Sequence, residues 1–182
     1  MNEERQILLE KDELNRTLAR MAHELIEKAT SPDALVLIGI RSRGVYLARR
    51  MAKKIQEFSN VTPPVASIDV TPYRDDRAAA TDTSGFDIQL AVDDKTVALI
   101  DDVIFRGRTV RAALDAVGRL GEPKRILVAV LIDRGSRELP IRADIVGKNI
   151  DAGEDKRVNV MLEESDGVDQ VTIDQWRSRR VV

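Results

Sequence analysis

Two adjacent carboxylates, Asp101 and Asp102, stand at the end of the apolar run Thr96-Val-Ala-Leu-Ile100. A short turn later, Gly107-Arg108-Thr109 opens a stretch of helical periodicity. Carboxylates that leave a buried strand need partners, and hydroxyl groups of a sugar are suitable donors. Glycine permits a tight turn in which the backbone closely approaches a ligand. The first N–H groups of a helix are free to hold a phosphate, helped by the helix dipole. Thr109 either caps that helix or donates its hydroxyl to the phosphate. Taken singly, Thr109 is an ordinary cap and the aspartates a solvated turn. The whole run, residues 97–109, reads instead as a cradle for a phosphorylated sugar. It is neither a Walker A loop, G-x-x-x-x-G-K-[ST], nor a G-x-G-x-x-G fingerprint.

The elements that must position this cradle are legible along the chain. Residues 12–28 carry Leu14, Leu18, Met21 and Leu25 at helical spacing. Apolar strands are expected at 34–40, 65–70, 96–100 and 125–132, with a last one at 157–162. Helices are expected after Gly44, with Ala48, Met51, Ala52 and Ile55 inward, and over Val110, Ala113, Leu114 and Val117. Buried strands alternating with helices predict an α/β fold with a mostly parallel twisted sheet flanked by helices. In such sheets ligands bind beyond the carboxyl ends of the strands. The polar segments that begin at Arg41, Thr71, Asp101 and Asp133 each follow an expected strand, so all four should meet on one rim.

Composition narrows the chemistry. The chain has 182 residues, enough for one domain with a sizeable core, and its aromatic share of 3% makes that core aliphatic. It contains no cysteine and one histidine, His23, which excludes thiolate sites and multi-histidine metal sites. A net charge of −2 gives no global field toward nucleic acid, so such a site must be a local patch. The acidic N-terminus lacks the apolar run of a signal peptide, and runs such as residues 126–132 are too short to cross a bilayer. A cytoplasmic protein without membrane contact is expected.

The strand, the Asp-Asp pair and the Gly-x-Thr helix start resemble the phosphoribosyl-pyrophosphate (PRPP) motif of type I phosphoribosyltransferases. IGIRSRGVYLA at 38–48, TPYRDD at 71–76 and DRGSRELPIRADIVGKN at 133–149 are similar to the PyrR branch of that superfamily. Members of that branch are bifunctional pyrimidine operon regulators and uracil phosphoribosyltransferases. The resemblance implies one phosphoribosyltransferase domain over 1–182, with a flexible flap at about 71–95, a hood at about 133–163 and a polar tail at 164–182. It implies that Asp101 and Asp102 hold the ribose hydroxyls, and that the loop Val103, Ile104, Phe105, Arg106, Gly107, Arg108, Thr109 receives the 5′-phosphate. Ser42 and Arg43 would face the pyrophosphate, with Arg74 added from the flap. Arg134 and Val158 would belong to the uracil hood. Mg²⁺ would arrive with PRPP and be held mainly through it and water, not by direct protein ligands. The implied activity is uracil plus PRPP giving UMP plus pyrophosphate, with binding of pyr mRNA leaders controlled by uridine nucleotides. A homodimer or larger assembly is expected from the same resemblance.

The chain departs from the pattern Asp-Asp-x-x-x-Thr-Gly-x-Thr by carrying Arg106 in place of the first threonine. Arginine either reaches the phosphate as a fork donor or fills the site. The alternative to catalysis is therefore a nucleotide-sensing RNA-binding regulator with a degenerate PRPP site. Ser136 replaces a histidine of the resembling proteins, and Ala19 a threonine. Arg16, Arg20 and His23 recur on the face opposite the leucines of the first helix, and Arg137 could join them from the hood. By resemblance His23 and Arg137 are RNA-binding positions; read bare, the stripe is equally a solvated face diluted by Glu24 and Glu27. The basic end, Arg177, Arg179 and Arg180, reads as a frayed terminus.

Overall fold

The computed structural model describes residues 5–71 and 90–175 of the chain. Strand β1 (Gln6–Glu10) runs into helix α1 (Lys11–Lys28), followed by β2 (Leu35–Ile40), α2 (Arg43–Ser59) and β3 (Val65–Ile68). Then come β4 (Thr96–Ile104), α3 (Arg108–Val117), β5 (Arg125–Asp133) and β6 (Ile145–Asn149). The chain finishes with β7 (Lys156–Met161), the short α4 (Glu163–Asp166) and β8 (Gln170–Gln175).

Five strands form a parallel sheet in the order β3-β2-β4-β5-β6. Its strands are apolar on both faces because both are covered, as parallel sheets require. Alternation along β2 and β4 separates the two cores. Leu35, Leu37, Ala98 and Ile100 pack with α1 and α2, whereas Val36, Ile38, Ile40, Val97 and Leu99 pack with α3. Leu14, Leu18, Met21 and Leu25 on α1 are fully buried, each contributing about 1.5–3 kcal/mol of apolar burial. From β2 the chain first moves outward to β3 and then returns to the other side of β2 as β4. The resulting switch point lies between the carboxyl ends of β2 and β4, the crevice where open α/β sheets bind ligands.

The second sheet is antiparallel, in the order β1-β8-β7. It departs from the sequence expectation in three ways. Residues 164–175 are not a polar tail: they supply α4 and β8, with Val171 and Thr172 fully buried. The expected hood at 133–163 contributes β7 to this sheet, but its middle portion, β6, is an edge strand of the parallel sheet. Strand β1 pairs with β8, so segments near both chain ends share one sheet. Strand β4 also runs longer than expected, through Asp101 and Asp102 to Ile104. Among the described residues, no helix is long and apolar enough to cross a membrane.

Candidate active site

The site is built first from glycines. A Cβ placed on Gly44 would lie 2.4 Å from the Ile100 carbonyl oxygen and 3.3 Å from the Asp101 Cα. One placed on Gly39 would lie 2.4 Å from the Val45 Cα. These two positions therefore let the turn after β2 and the start of α2 rest directly on the end of β4. Arg41 ties the turn to β3, its N–H donating to the Ile68 carbonyl at 2.9 Å and its Nε to the Ser67 hydroxyl at 3.2 Å. The Arg41–Ser42 peptide bond is cis, and Ser42 caps α2 without a side-chain bond.

Asp101 is 7% exposed. Its Oδ1 accepts the Asp102 N–H at 2.9 Å, and Asp102 Oδ1 accepts the Val103 N–H at 2.9 Å. Burial, and then the neighbouring Asp102 charge, push the Asp101 carboxyl well above the usual carboxylate range. Burial raises Asp102 as well, while hydrogen bonds from its neighbours and the Arg43 charge pull it back. Such a pair is under-compensated in the absence of a ligand, and hydroxyl donors or a cation would stabilise its charged form. Arg43 lies close enough to act on Asp102, and its Nη2 donates to Asp166 Oδ1 at 2.9 Å. Its Nε is buried and has no partner among the described residues.

Past Ile104 the chain turns at Gly107, which adopts φ +91° as the N-cap of α3. That left-handed conformation is open to glycine and strained for other residues. The N–H groups of the first turn of α3 have no acceptor within the helix. A cavity of about 460 Å³ covers them, lined by Asp101, residues 103–110 and Glu138. The cavity thus unites the buried Asp101 carboxylate, a helix start, the arginines of the loop and the half-exposed Glu138.

The sequence profile of the phosphoribosyl transferase domain matches residues 5–164. The chain belongs to the phosphoribosyltransferase family. It is 53% identical over 176 residues to the bifunctional protein PyrR of Chloroflexus aurantiacus, covering 95% of this chain and 96% of that protein. It is 45% identical over 169 residues to the bifunctional protein PyrR of Lactococcus lactis subsp. cremoris, covering 93% and 96%. Among solved structures, the hypoxanthine phosphoribosyltransferase of Trypanosoma cruzi matches with a TM-score of 0.72 at 16% identity, over 94% of this chain and 97% of that one. A hypoxanthine-guanine phosphoribosyltransferase of Bacillus anthracis matches with a TM-score of 0.70 at 16% identity, over 97% and 100%. At that identity the two structures speak for the fold alone.

Within this phosphoribosyltransferase the remaining expected residues divide. Asp101 and residues 103–109 come together around one cavity that Asp102 does not line, with Ser42 and Arg43 on the turn that Gly44 packs against β4. Arg74 and most of the expected flap lie outside the described residues. Arg134 is buried: its guanidinium sits 4.0 Å from the Phe105 ring centroid and donates to the Gly153 and Lys156 carbonyls, each at 2.7 Å. It therefore clamps the loop at Phe105 to the start of β7. Val158, on β7, pairs with Ile173 and packs against the main core.

The expected RNA-facing arginines are partly committed elsewhere. Arg137 donates to the carbonyls of Phe105 at 2.8 Å, Ile141 at 3.0 Å and Gly135 at 3.1 Å, and to Asp133 Oδ2 at 2.6 Å. Arg20 pairs with Glu24 and donates to the Val146 and Gly147 carbonyls on β6. Arg16 is exposed. His23 is exposed as well and stacks on Phe58, with ring centroids 3.8 Å apart and planes at 16°. Phe58, 42% exposed at the end of α2, was not singled out from sequence. Its signal is a large aromatic among the polar residues that close the helix. Glu138 was likewise missed, being separated from the loop it faces by some thirty residues of chain.

Proposed function

We propose that this protein transfers the phosphoribosyl group of PRPP to uracil, giving UMP and pyrophosphate, and that it regulates pyrimidine genes by binding pyr mRNA in response to uridine nucleotides. One observation carries the enzymatic half. Asp101, near the carboxyl end of β4, lines the same cavity as the Gly107-capped start of α3, with Asp102 next to it in the chain, an arrangement that supports a ribose phosphate cradle. The PyrR names of the relatives support uracil as the acceptor and the regulatory half.

In the reaction the C1′–oxygen bond to pyrophosphate breaks, a bond from C1′ to uracil N1 forms, and the N1 proton passes to the departing pyrophosphate or to water. The centre is oxocarbenium-like, so no protein nucleophile is required. Catalysis comes from orientation and from neutralising the leaving group. Asp101 and Asp102 would orient the ribose through its hydroxyls, and the first turn of α3 would anchor the 5′-phosphate. Arg43 supplies positive charge beside Asp102, where pyrophosphate departs, and Arg74 is a second candidate. Mg²⁺ prefers phosphate oxygens and water and would supply charge neutralisation at pyrophosphate. No group of three or more His, Cys, Asp or Glu ligands gathers among the described residues. The under-compensated Asp102 fits an ion carried in by substrate rather than one caged by the protein.

For the regulatory half, Arg16, Arg20 and His23, with the His23–Phe58 stack, form the candidate RNA face, and Arg137 serves mainly to hold the phosphate loop. A homodimer or larger assembly and a cytoplasmic location accompany this reading. The test is to incubate the protein with Mg²⁺, PRPP and radiolabelled uracil and follow labelled UMP. UMP that requires both Mg²⁺ and PRPP supports the enzyme. A folded protein that forms none is instead a nucleotide sensor, the reading that Arg106 in the loop would favour.

A further inference from the structure

Glu138 is the one residue from beyond 101–110 that lines the cavity among the described residues. Its carboxylate spans both arginines of the phosphate loop. Arg106 Nε lies 3.2 Å from Oε1, and Arg108 approaches Oε2 through Nε at 2.9 Å and Nη2 at 2.8 Å. The main chain registers the contact, since the Glu138 N–H donates to the Arg106 carbonyl at 3.1 Å. Next to it, Arg137 fastens the same segment to the Phe105 carbonyl. One carboxylate is thus held over the loop, against the two guanidinium forks that flank Gly107.

We infer that Glu138 is an internal competitor for the phosphate loop, occupying Arg106 and Arg108 until the 5′-phosphate of a ligand displaces it. The inference rests on the reading above that this loop receives such a phosphate. Displacement is favoured by charge and by geometry. The three side chains are 36–49% exposed, and ion pairs at that exposure hold weakly. A phosphate dianion offers twice the charge and three oxygens to the two forks. It also suits the N–H groups at the first turn of α3, where the helix dipole favours an anion. Once phosphate is bound, a carboxylate left in place would face a like charge, so Glu138 must swing outward. Its backbone bond to Arg106 and the Arg137 clamp allow this to be a side-chain motion. Arg106 strengthens the competition, because a threonine there would leave Glu138 with one arginine partner.

The consequence is phosphate-specific. Glu138 lowers the affinity for every 5′-phosphorylated ligand and hastens its departure, without touching the base or ribose contacts. The experiment measures binding of UMP, ribose 5-phosphate and uridine by calorimetry to wild type, Glu138→Gln, Arg106→Thr and the double variant. Glutamine keeps the size of the side chain and removes its charge. The expected result is UMP and ribose 5-phosphate bound about 3- to 10-fold more tightly by Glu138→Gln, with uridine unchanged and a smaller gain in the Arg106→Thr background. Unchanged or weaker binding of both phosphorylated ligands by folded Glu138→Gln would mean that Glu138 merely positions the arginines, and would overturn the inference. A crystal structure of the wild-type protein with UMP tests it without a substitution: the phosphate should stand where the carboxylate was, and a retained Arg106–Glu138–Arg108 bridge refutes displacement. Wild-type protein that binds neither UMP nor ribose 5-phosphate refutes the functional reading itself, a result distinct from tight binding that Glu138→Gln leaves unaltered.

Discussion

Gly44→Ala separates helix propensity from the packing that assembles the site. Gly44 lies in the first turn of α2, and alanine at a helical position is ordinarily favoured over glycine by about 1 kcal/mol. Propensity alone therefore expects a more stable protein. The structure expects the reverse. The new Cβ would sit 2.4 Å from the Ile100 carbonyl oxygen, and reaching even 3.0 Å requires a movement of about 0.6 Å between two backbone segments. Neither side is a flexible side chain: one is α2 and the other is the central strand β4. Overpacking of this kind costs about 1–3 kcal/mol, which exceeds the propensity gain at most of that range. The same movement carries Ser42 and Arg43 away from Asp101 and Asp102. A misplacement near 1 Å costs catalysis about 100-fold, so we expect kcat/KM for PRPP to fall about 10- to 100-fold. Urea unfolding followed by circular dichroism, with UMP formation measured on the same preparations, checks both expectations. Gly118→Ala is the control, since its Cβ would meet nothing nearer than 3.6 Å and its φ is −61°. That variant should be unchanged or more stable by about 0.4–1 kcal/mol. If Gly44→Ala gains stability and keeps kcat/KM within twofold, then close contact between the β2 turn and β4 does not assemble the site.

Three further outcomes follow from the electrostatics and the surface. Asp101 is raised by burial, so the native state holds its proton more tightly than the unfolded chain does, and stability is lost as pH rises from the ordinary carboxylate range toward the native value. Asp101→Asn should therefore stabilise the ligand-free protein, more at pH 8 than at pH 5 in urea titrations, while abolishing UMP formation; equal effects at both pH values would contradict the burial argument. Arg50 donates to Asp169 at 2.7 and 2.9 Å and to Glu164 at 2.8 Å, tying α2 to the turn before β8. Burial acts to raise Asp169 but is outweighed by these Arg50 bonds, so its carboxyl is lowered, and the stability it contributes is present above 3.8 and lost as pH falls below that value. Arg50→Ala strands the buried Asp169 and should cost about 3 kcal/mol at pH 7, less after allowance for the part-exposed Glu164, as read from the urea midpoint. Phe58→Ala should weaken binding to pyr leader RNA by about 1 kcal/mol or more, the worth of one base–aromatic stack. Because no charge is removed, the slope of affinity against salt should stay the same, and UMP formation should be unaffected; unaltered RNA affinity would remove the stack from the interface.

Much of the parallel sheet is legible in the sequence because each strand is a local apolar run bounded by a turn, and each helix writes its own 3.6-residue period. Leu14, Leu18, Met21 and Leu25 declare the inward face of α1 without reference to anything else in the chain. The strand, turn and helix start of the candidate site are legible for the same reason, since Asp101 to Thr109 is contiguous along the backbone. The second sheet is different. Residues 6–10 and 170–175 are short runs bounded by polar residues, and they pair with each other across nearly the whole chain, with β7 on the other side of β8. No local period distinguishes such segments from a tail, and that is why residues 164–175 read as one. Side-chain partnership is equally non-local. Sequence places Arg137 and Arg20 among outward cations, but tertiary structure gives them carbonyl acceptors at Phe105 and on β6. It also brings Glu138 to Arg106 and Arg108, and Phe58 to His23. That Asp101 and the Gly107 turn lie close together was determined by the order of residues, because covalent neighbours cannot be far apart. The partners of each charge were decided by folding, because burial and Coulomb attraction act through space.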